Sequence, residues 1–138
     1  MVTLEAILER NNLNRAYKQV KANRGGPGVD GMTVDELLDY LRAHAVEIVE
    51  TVKAGKYKPQ PVRRVMIPKE EKGKFRPLGI PTAVDRVIQQ AIAQKLSDEY
   101  EPVFSLHSHG FRPCRSCRTA IDEALDIANQ GYVWVVDL

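Results

Sequence analysis

The chain has 138 residues, 43% of them hydrophobic and 28% charged, with a net charge of only +2, so it can bury one modest core and is neither disordered nor membrane-spanning, for no apolar run approaches the ~20 residues of a spanning helix. The opening MVTLEAILERNN holds acids and no long apolar stretch, which excludes a secretory signal. Two cysteines are too few for a disulfide framework, so a reducing, cytoplasmic setting is expected.

Leu4, Ile7 and Leu8 recur at helical spacing, and Leu13, Ala16, Tyr17 and Val20 repeat the pattern after Asn11 and Asn12, with Asn12 in position to cap the second segment. The cluster GGPGVDG from Gly25 to Gly31 reads as a turn. Thr33 followed by Glu36 three residues on predicts a capping box for a helix running through Val52. Two extended runs come next, Pro61 to Ile67 and Phe75 to Ile80, rich in β-branched and apolar residues and separated by the polar, glycine-bearing loop Glu70 to Lys74. Pro68, Pro77 and Pro81 have no N–H to give a ladder, so this ribbon belongs at an edge or stands free as a flap.

After Pro81, Thr82 and Asp85 cap a helix whose apolar face is Val84, Val87, Ile88, Ala91, Ile92 and Leu96, ending near Glu101 and Pro102. Its other face shows Arg86, Gln89, Gln90 and Lys95. Ser105 to Arg115 reads as a loop, Ala120 to Ala128 as an amphipathic helix, and Tyr132 to Leu138 as a buried strand. The fold class is therefore α+β, mostly helical with a β-hairpin. A near-continuous apolar strand without a partner after it reads as the end of an N-terminal portion of a longer protein.

Charge is distributed unevenly. From Lys53 to Arg76 there are nine Lys and Arg (53, 56, 58, 63, 64, 69, 72, 74, 76) against Glu70 and Glu71, a local balance of +7. Gly26 to Val52 holds six acids against Arg42 alone. Positive charge concentrated on one ribbon attracts phosphates by a sequence-independent, salt-sensitive force. The alternative reading is a solvated basic hairpin with no ligand.

The succession GPGVDGMT (Gly26 to Thr33), IPK with RPLGIPT, DRVIQQAIAQKL (Asp85 to Leu96), HGFRPCRS (His109 to Ser116) and WVVDL resembles the opening half of the reverse transcriptase domain of group II intron-encoded proteins. The resemblance runs over nearly the whole chain, in order and spacing. It implies a right-hand polymerase, with residues 1–31 as an N-terminal helical segment with its glycine-rich turn, 32–115 as fingers with a basic flap, and 116–138 as the start of the palm. Such proteins copy RNA into DNA and assist the splicing of their own intron RNA. The implied partners are intron RNA, an RNA template with its DNA primer, and deoxynucleotide triphosphates; no membrane is implied, and exposed palm-facing surface allows self-association.

By the same resemblance Lys69 and Arg76 hold the triphosphate, the first as a compact mobile charge and the second as a rigid fork. In a flap this long, Lys72 and Lys74 are able to stand in for Lys69. Gly79 and Ile80 pack near the templating base, Phe111 walls the nucleotide pocket, and Arg112 orders its loop or contacts phosphate. Arg63, Arg64, Arg86 and Gln89 are the remaining template or RNA contacts; for Gln90 and its neighbours the alternative is a solvated helix face, and for Phe111 it is core packing. The chemistry needs carboxylates that hold two Mg²⁺ ions. The first such ligand is either Asp137 or a residue just beyond Leu138, and the later Tyr-x-Asp-Asp pair is absent. This fragment alone is accordingly expected to bind no Mg²⁺ and to synthesise no DNA. A non-catalytic RNA-binding maturase module is the alternative function.

One rival chemistry is zinc. His107, His109, Cys114 and Cys117 form H-x-H-x4-C-x2-C, with a Cys-x-x-Cys that is also a redox spacing. No histidine lies in a nucleophile motif.

Overall fold

A computed structural model describes residues 1–136. Among them are five α-helices and one two-stranded antiparallel hairpin, an α+β arrangement: α1 (Leu4–Ile7), α2 (Arg10–Ala22), α3 (Leu37–Lys53), β1 (Arg63–Pro68), β2 (Phe75–Ile80), α4 (Ala83–Tyr100) and α5 (Cys117–Asn129), with a 3-10 turn at Glu101–Val103. The chain divides into two compact units, Met1–Leu96 and Ser97–Leu138. No helix among the described residues is long and apolar enough to cross a membrane.

The core of the first unit is built by α2, the start of α3, and α4. Ala16, Val20, Val34, Leu37, Ala83, Val84, Val87 and Ala91 are buried together, and Tyr17, Met32, Leu41, Ile48 and Ile88 pack around them. Ala16, Ala83 and Ala91 are wholly buried, and small side chains at such positions let helix backbones approach closely. Thr33 and Glu36 make the reciprocal bonds of a capping box: the Thr33 amide donates to Glu36 Oε2 at 2.9 Å and the Glu36 amide to Thr33 Oγ1 at 3.4 Å. The Thr33 amide, and then the Thr33 hydroxyl at 2.7 Å, both donate to Oε2 and hold the Glu36 carboxyl below its usual range. The regular helix begins at Leu37.

Gly28 explains the glycine turn. A Cβ there would lie 2.6 Å from the Thr82 Cα and 2.9 Å from the Pro81 carbonyl oxygen. The turn is thus pressed against the backbone that starts α4, and a side chain has no room.

Four expectations need correction. Asn12 does not cap α2; the helix starts at Arg10, and Asn12 lies inside it, buried. Its amide donates to the Ile7 carbonyl at 2.8 Å and the Ala91 carbonyl at 2.9 Å, while Gln94 donates to Asn12 Oδ1 at 2.9 Å. That buried polar pair tilts the inward stripe of α4 to Val84, Val87, Ala91 and Gln94, which leaves Ile92 and Leu96 exposed. α5 begins at Cys117 rather than Ala120, because Ser116 and Thr119 form a capping box without a carboxylate. Tyr132 to Val136 form no strand and are exposed: the hairpin closes on two strands, and no described backbone supplies a ladder to these residues.

Candidate nucleic-acid interface

The basic ribbon is the two-stranded hairpin. Its register pairs Arg63 with Ile80, Arg64 with Gly79, Val65 with Leu78, Met66 with Pro77, Ile67 with Arg76 and Pro68 with Phe75. Directly opposed residues share a face, and neighbours along a strand take opposite faces. One face therefore carries Arg63, Val65, Ile67, Arg76, Leu78 and Ile80, and the other Arg64, Met66, Phe75, Pro77 and Gly79. Lys69, two on from Ile67, continues the face of Arg76, and its amide donates to the Lys74 carbonyl at 2.8 Å to close the loop. Gly73 turns that loop at φ 82°, a conformation that favours glycine.

Apart from the half-buried Val65, Ile67 and Ile80, the strands and loop are exposed. Among the described residues Arg63, Arg64, Lys69, Lys72 and Arg76 have no ion-pair partner, whereas Lys74 is held by Glu71 at 2.5 Å. Arg63 and Arg64 take opposite faces, so they cannot both meet one flat ligand. The close approach at Gly79 comes from the chain itself: a Cβ there would sit 2.9 Å from a methyl of Val62. Leu78 is exposed on the ribbon and Ile80 half-buried at its root.

A buried carboxylate sets that root. Asp85 accepts from Tyr57 Oη at 2.6 Å, the Gln60 amide at 3.1 Å and Thr82 Oγ1 at 2.7 Å. Tyr57 and Gln60 lie just before β1 and Thr82 just after β2, so one side chain ties both stems of the hairpin to the first turn of α4. Burial, then the bond to Asp85, pushes the Tyr57 phenol well above its ordinary range. The Thr82 and Asp85 cap was legible in the sequence; the bonds to Tyr57 and Gln60, 28 and 25 residues away, left no local signal there.

Arg86 and Gln89 fall beside the glycine turn. Arg86 donates to the Gly26 carbonyl at 2.9 Å, and a Cβ at Gly25 would collide with its guanidinium. Its Nε is buried without a partner. Together with Val20, Asn23, Gln90 and Ala93, these two residues line a cavity of about 260 Å³. Gln89 is exposed and Gln90 half-buried, and neither Asn23 nor the orphaned nitrogen carried a sequence signal.

The second unit holds the other two residues of the expected nucleotide site. The Arg112 side chain is 7% exposed, and each of its five N–H donors has an acceptor: Nε and Nη2 on Glu101 Oε1 at 3.1 and 2.8 Å, Nη1 on the Ser105 and Ser108 carbonyls at 2.6 and 3.0 Å, and Nη2 again on the Glu101 carbonyl at 3.5 Å. The guanidinium also lies over the Phe104 ring, 5.4 Å from its centre. Of the two roles expected of Arg112, ordering the loop is the one its bonds perform, and no donor is left for a phosphate. Phe111 is not core: it is fully exposed at φ 56°, a strained conformation for an aromatic residue.

The four side chains of the zinc spacing do not gather. His107 and His109 close on Glu123 of α5, Cys114 and Cys117 are exposed thiols, and no group of three or more His, Cys, Asp or Glu among the described residues is placed to hold a metal ion. Asp137 lies outside the described residues.

No protein-family model matches the chain. The chain is 44% identical over 106 residues to the group II intron-encoded protein LtrA of Lactococcus lactis subsp. cremoris, covering 77% of this chain and 18% of that protein. The chain belongs to the group II intron-encoded proteins. The protein YkfC of Escherichia coli is 42% identical over 140 residues, 97% of this chain and 36% of its own length. An uncharacterised 91 kDa protein in the cob intron of Schizosaccharomyces pombe is 34% identical over 138 residues, 95% of this chain and 16% of its own length. The chain thus spans about a sixth to a third of the length of these curated relatives.

Proposed function

We propose that this chain is the nucleotide- and template-gripping fingers part of a right-hand, RNA-directed DNA polymerase that copies intron RNA and assists its splicing. The observation that carries the reading is the exposed hairpin, whose Lys69 and Arg76 share one face with no acid paired to either among the described residues. A cation already neutralised by a protein carboxylate gains little from a phosphate, whereas a free one on a rigid ribbon offers its full charge. Lys69 and Arg76 grip the triphosphate of the incoming nucleotide, with Lys72 beside them. Arg63 extends the same face toward the template, and Arg86 with Gln89 meets the template backbone beside the glycine turn. Phe111 walls the nucleotide pocket, and Arg112 holds the loop that presents it. The partners are intron RNA, the RNA template with its DNA primer, and deoxynucleotide triphosphates.

Polymerase chemistry of this kind uses two Mg²⁺ ions. The described residues do not supply a donor set for them, so the role assigned to this chain is binding and orientation of phosphates.

Single-nucleotide incorporation on an RNA template by a full-length protein carrying this chain tests the reading. Arg76→Ala removes a charge-assisted fork, which costs on the order of ten- to a hundredfold at the nucleotide step, and Arg76→Lys restores charge without the fork. If Arg76→Ala weakens only RNA affinity and leaves the nucleotide dependence unchanged, the ribbon is an RNA clamp and the non-catalytic maturase reading takes its place.

A further inference from the structure

His109 is held at both ring nitrogens. Its Nδ1 lies 2.9 Å from Thr119 Oγ1, and its Nε2 lies 2.5 Å from Glu123 Oε2. The Thr119 hydroxyl has one proton and two lone pairs. Its proton goes to the Ser116 carbonyl at 2.9 Å, and one lone pair receives the Ser116 amide at 3.0 Å. What remains to face His109 is a lone pair, so Nδ1 must carry a hydrogen. The Glu123 carboxylate is an acceptor only, so Nε2 must carry one as well. Both conditions are met together only by the imidazolium. His107 needs a single proton, on the Nδ1 that faces Glu123 Oε1, and its neutral form satisfies that bond.

We infer that His109, Glu123 and Thr119 form a proton-operated clip that fastens the loop Ser105 to Arg115 to the first two turns of α5. With His109 charged, the clip is closed. When His109 loses a proton, either a bond to Glu123 is given up or Thr119 turns its hydroxyl from the Ser116 carbonyl to Nδ1, which removes one bond from the cap of α5. The imidazole of His109 is 14% exposed and Glu123 29%, so water replaces these bonds only in part.

The surrounding charges do not duplicate the clip. In the loop, Arg112 is committed to Glu101 and Arg115 to the Leu106 carbonyl; on α5, Arg118 is committed to Asp122. The two imidazoles are the basic side chains bonded to Glu123 among the described residues, and their bonds, His107 first and then His109, hold its carboxyl below the usual range. Cys114, Cys117 and Asp126 are the other titratable groups of the loop end and helix, and none of them is hydrogen-bonded through its side chain to the clip. The loop also carries Phe111, so the clip regulates how that aromatic is presented. This last consequence rests on the nucleotide-pocket reading above; the clip does not.

Amide exchange and backbone resonances of this chain, followed from about pH 5 to about pH 8 and corrected for intrinsic exchange, test the proposal. In the wild type, the Thr119 and Ala120 amides lose about fivefold in protection as pH rises, the size of one ordinary hydrogen bond, and loop resonances move in step with the His109 ring. His109→Gln abolishes the response, Glu123→Gln weakens it, and His107→Gln leaves it in place; circular dichroism reports whether α5 persists in each. Flat protection in the wild type, or the same response in His109→Gln, overturns the clip. So does a response that vanishes when a chelator is added, which makes the cluster a metal site. If the clip responds but primer extension by the full-length protein does not, the clip stands and the reading of Phe111 fails.

Discussion

The hairpin and the GFRP loop each carry arginines that look alike in the sequence, and the structure uses them in opposite ways. Arg76 stands exposed on a ribbon with no acid paired to it among the described residues, whereas the Arg112 side chain is buried, with all five donors taken by Glu101 and the carbonyls of its own loop. The difference shows that a cation's function is set by what has already neutralised it. On the ribbon the acids are few, Glu71 is occupied by Lys74, and the remaining charge faces solvent. In the loop, Glu101 and two carbonyls consume the guanidinium, and the exposed feature is the apolar Phe111.

The largest expected effect falls on Arg112. Arg112→Ala leaves Glu101 without its partner and three carbonyls without a donor, at a cost of about 3 kcal/mol, the low end for a broken buried pair because Glu101 is one-third exposed. Denaturant unfolding and exchange of residues 101–116 should report it. The matching change on the ribbon, Arg76→Ala, should leave stability within about 0.5 kcal/mol while weakening phosphate binding. Equal stability losses in the two variants would erase the contrast.

Asp85→Asn comes next. An amide cannot accept all three bonds, and its NH₂ faces a donor, so a loss of about 1–3 kcal/mol is expected, together with faster exchange in residues 57–68. A change confined to global stability, with the hairpin unaffected, would show that Asp85 does not set the ribbon's root.

Gly28→Ala follows on the same seam. The new methyl meets backbone at 2.6 Å, and the strain should cost about 1–3 kcal/mol, whereas Gly31→Ala meets no atom and suffers only from its φ of 74°. The smallest effects are those of pH. Tyr57 is raised in the folded chain, so its contribution is intact below the ordinary phenol range and declines as pH climbs above about 10. Glu36 and Glu123 are lowered, so theirs is intact above about pH 4.5 and is lost as pH falls through their folded values. Denaturation midpoints across pH for Tyr57→Phe and Glu123→Gln check both signs.

The sequence made some of this plain. The hairpin was visible because β-branched runs, prolines and a glycine-bearing loop coincide within twenty residues, and the cap of α4 because Thr82 and Asp85 sit three apart after a proline. The partners of Asp85, Asn12 and His109 were not, because each lies on another element: Asn12 and Gln94 are 82 residues apart, and a buried amide inside a helix has the same local pattern as a cap. Arg112 was ambiguous for a similar reason, since its acid is eleven residues upstream. The apolar run at Tyr132 has the composition of a strand, yet a strand exists only where a neighbour supplies the ladder.

The most direct test of the ribbon's role is the salt dependence of RNA affinity. Affinity for a single-stranded RNA should be measured at several salt concentrations for the wild type, for Arg63→Gln and for Lys69→Gln with Arg76→Gln. Each phosphate neutralised on a single strand contributes about 0.7 to the slope of log affinity against log salt, so Arg63→Gln should be shallower by about 0.7, while the double variant, whose charges meet the incoming nucleotide, keeps the wild-type slope. An unchanged slope in Arg63→Gln, or a double variant shallower by about 1.4, would contradict this division of the ribbon between template and nucleotide.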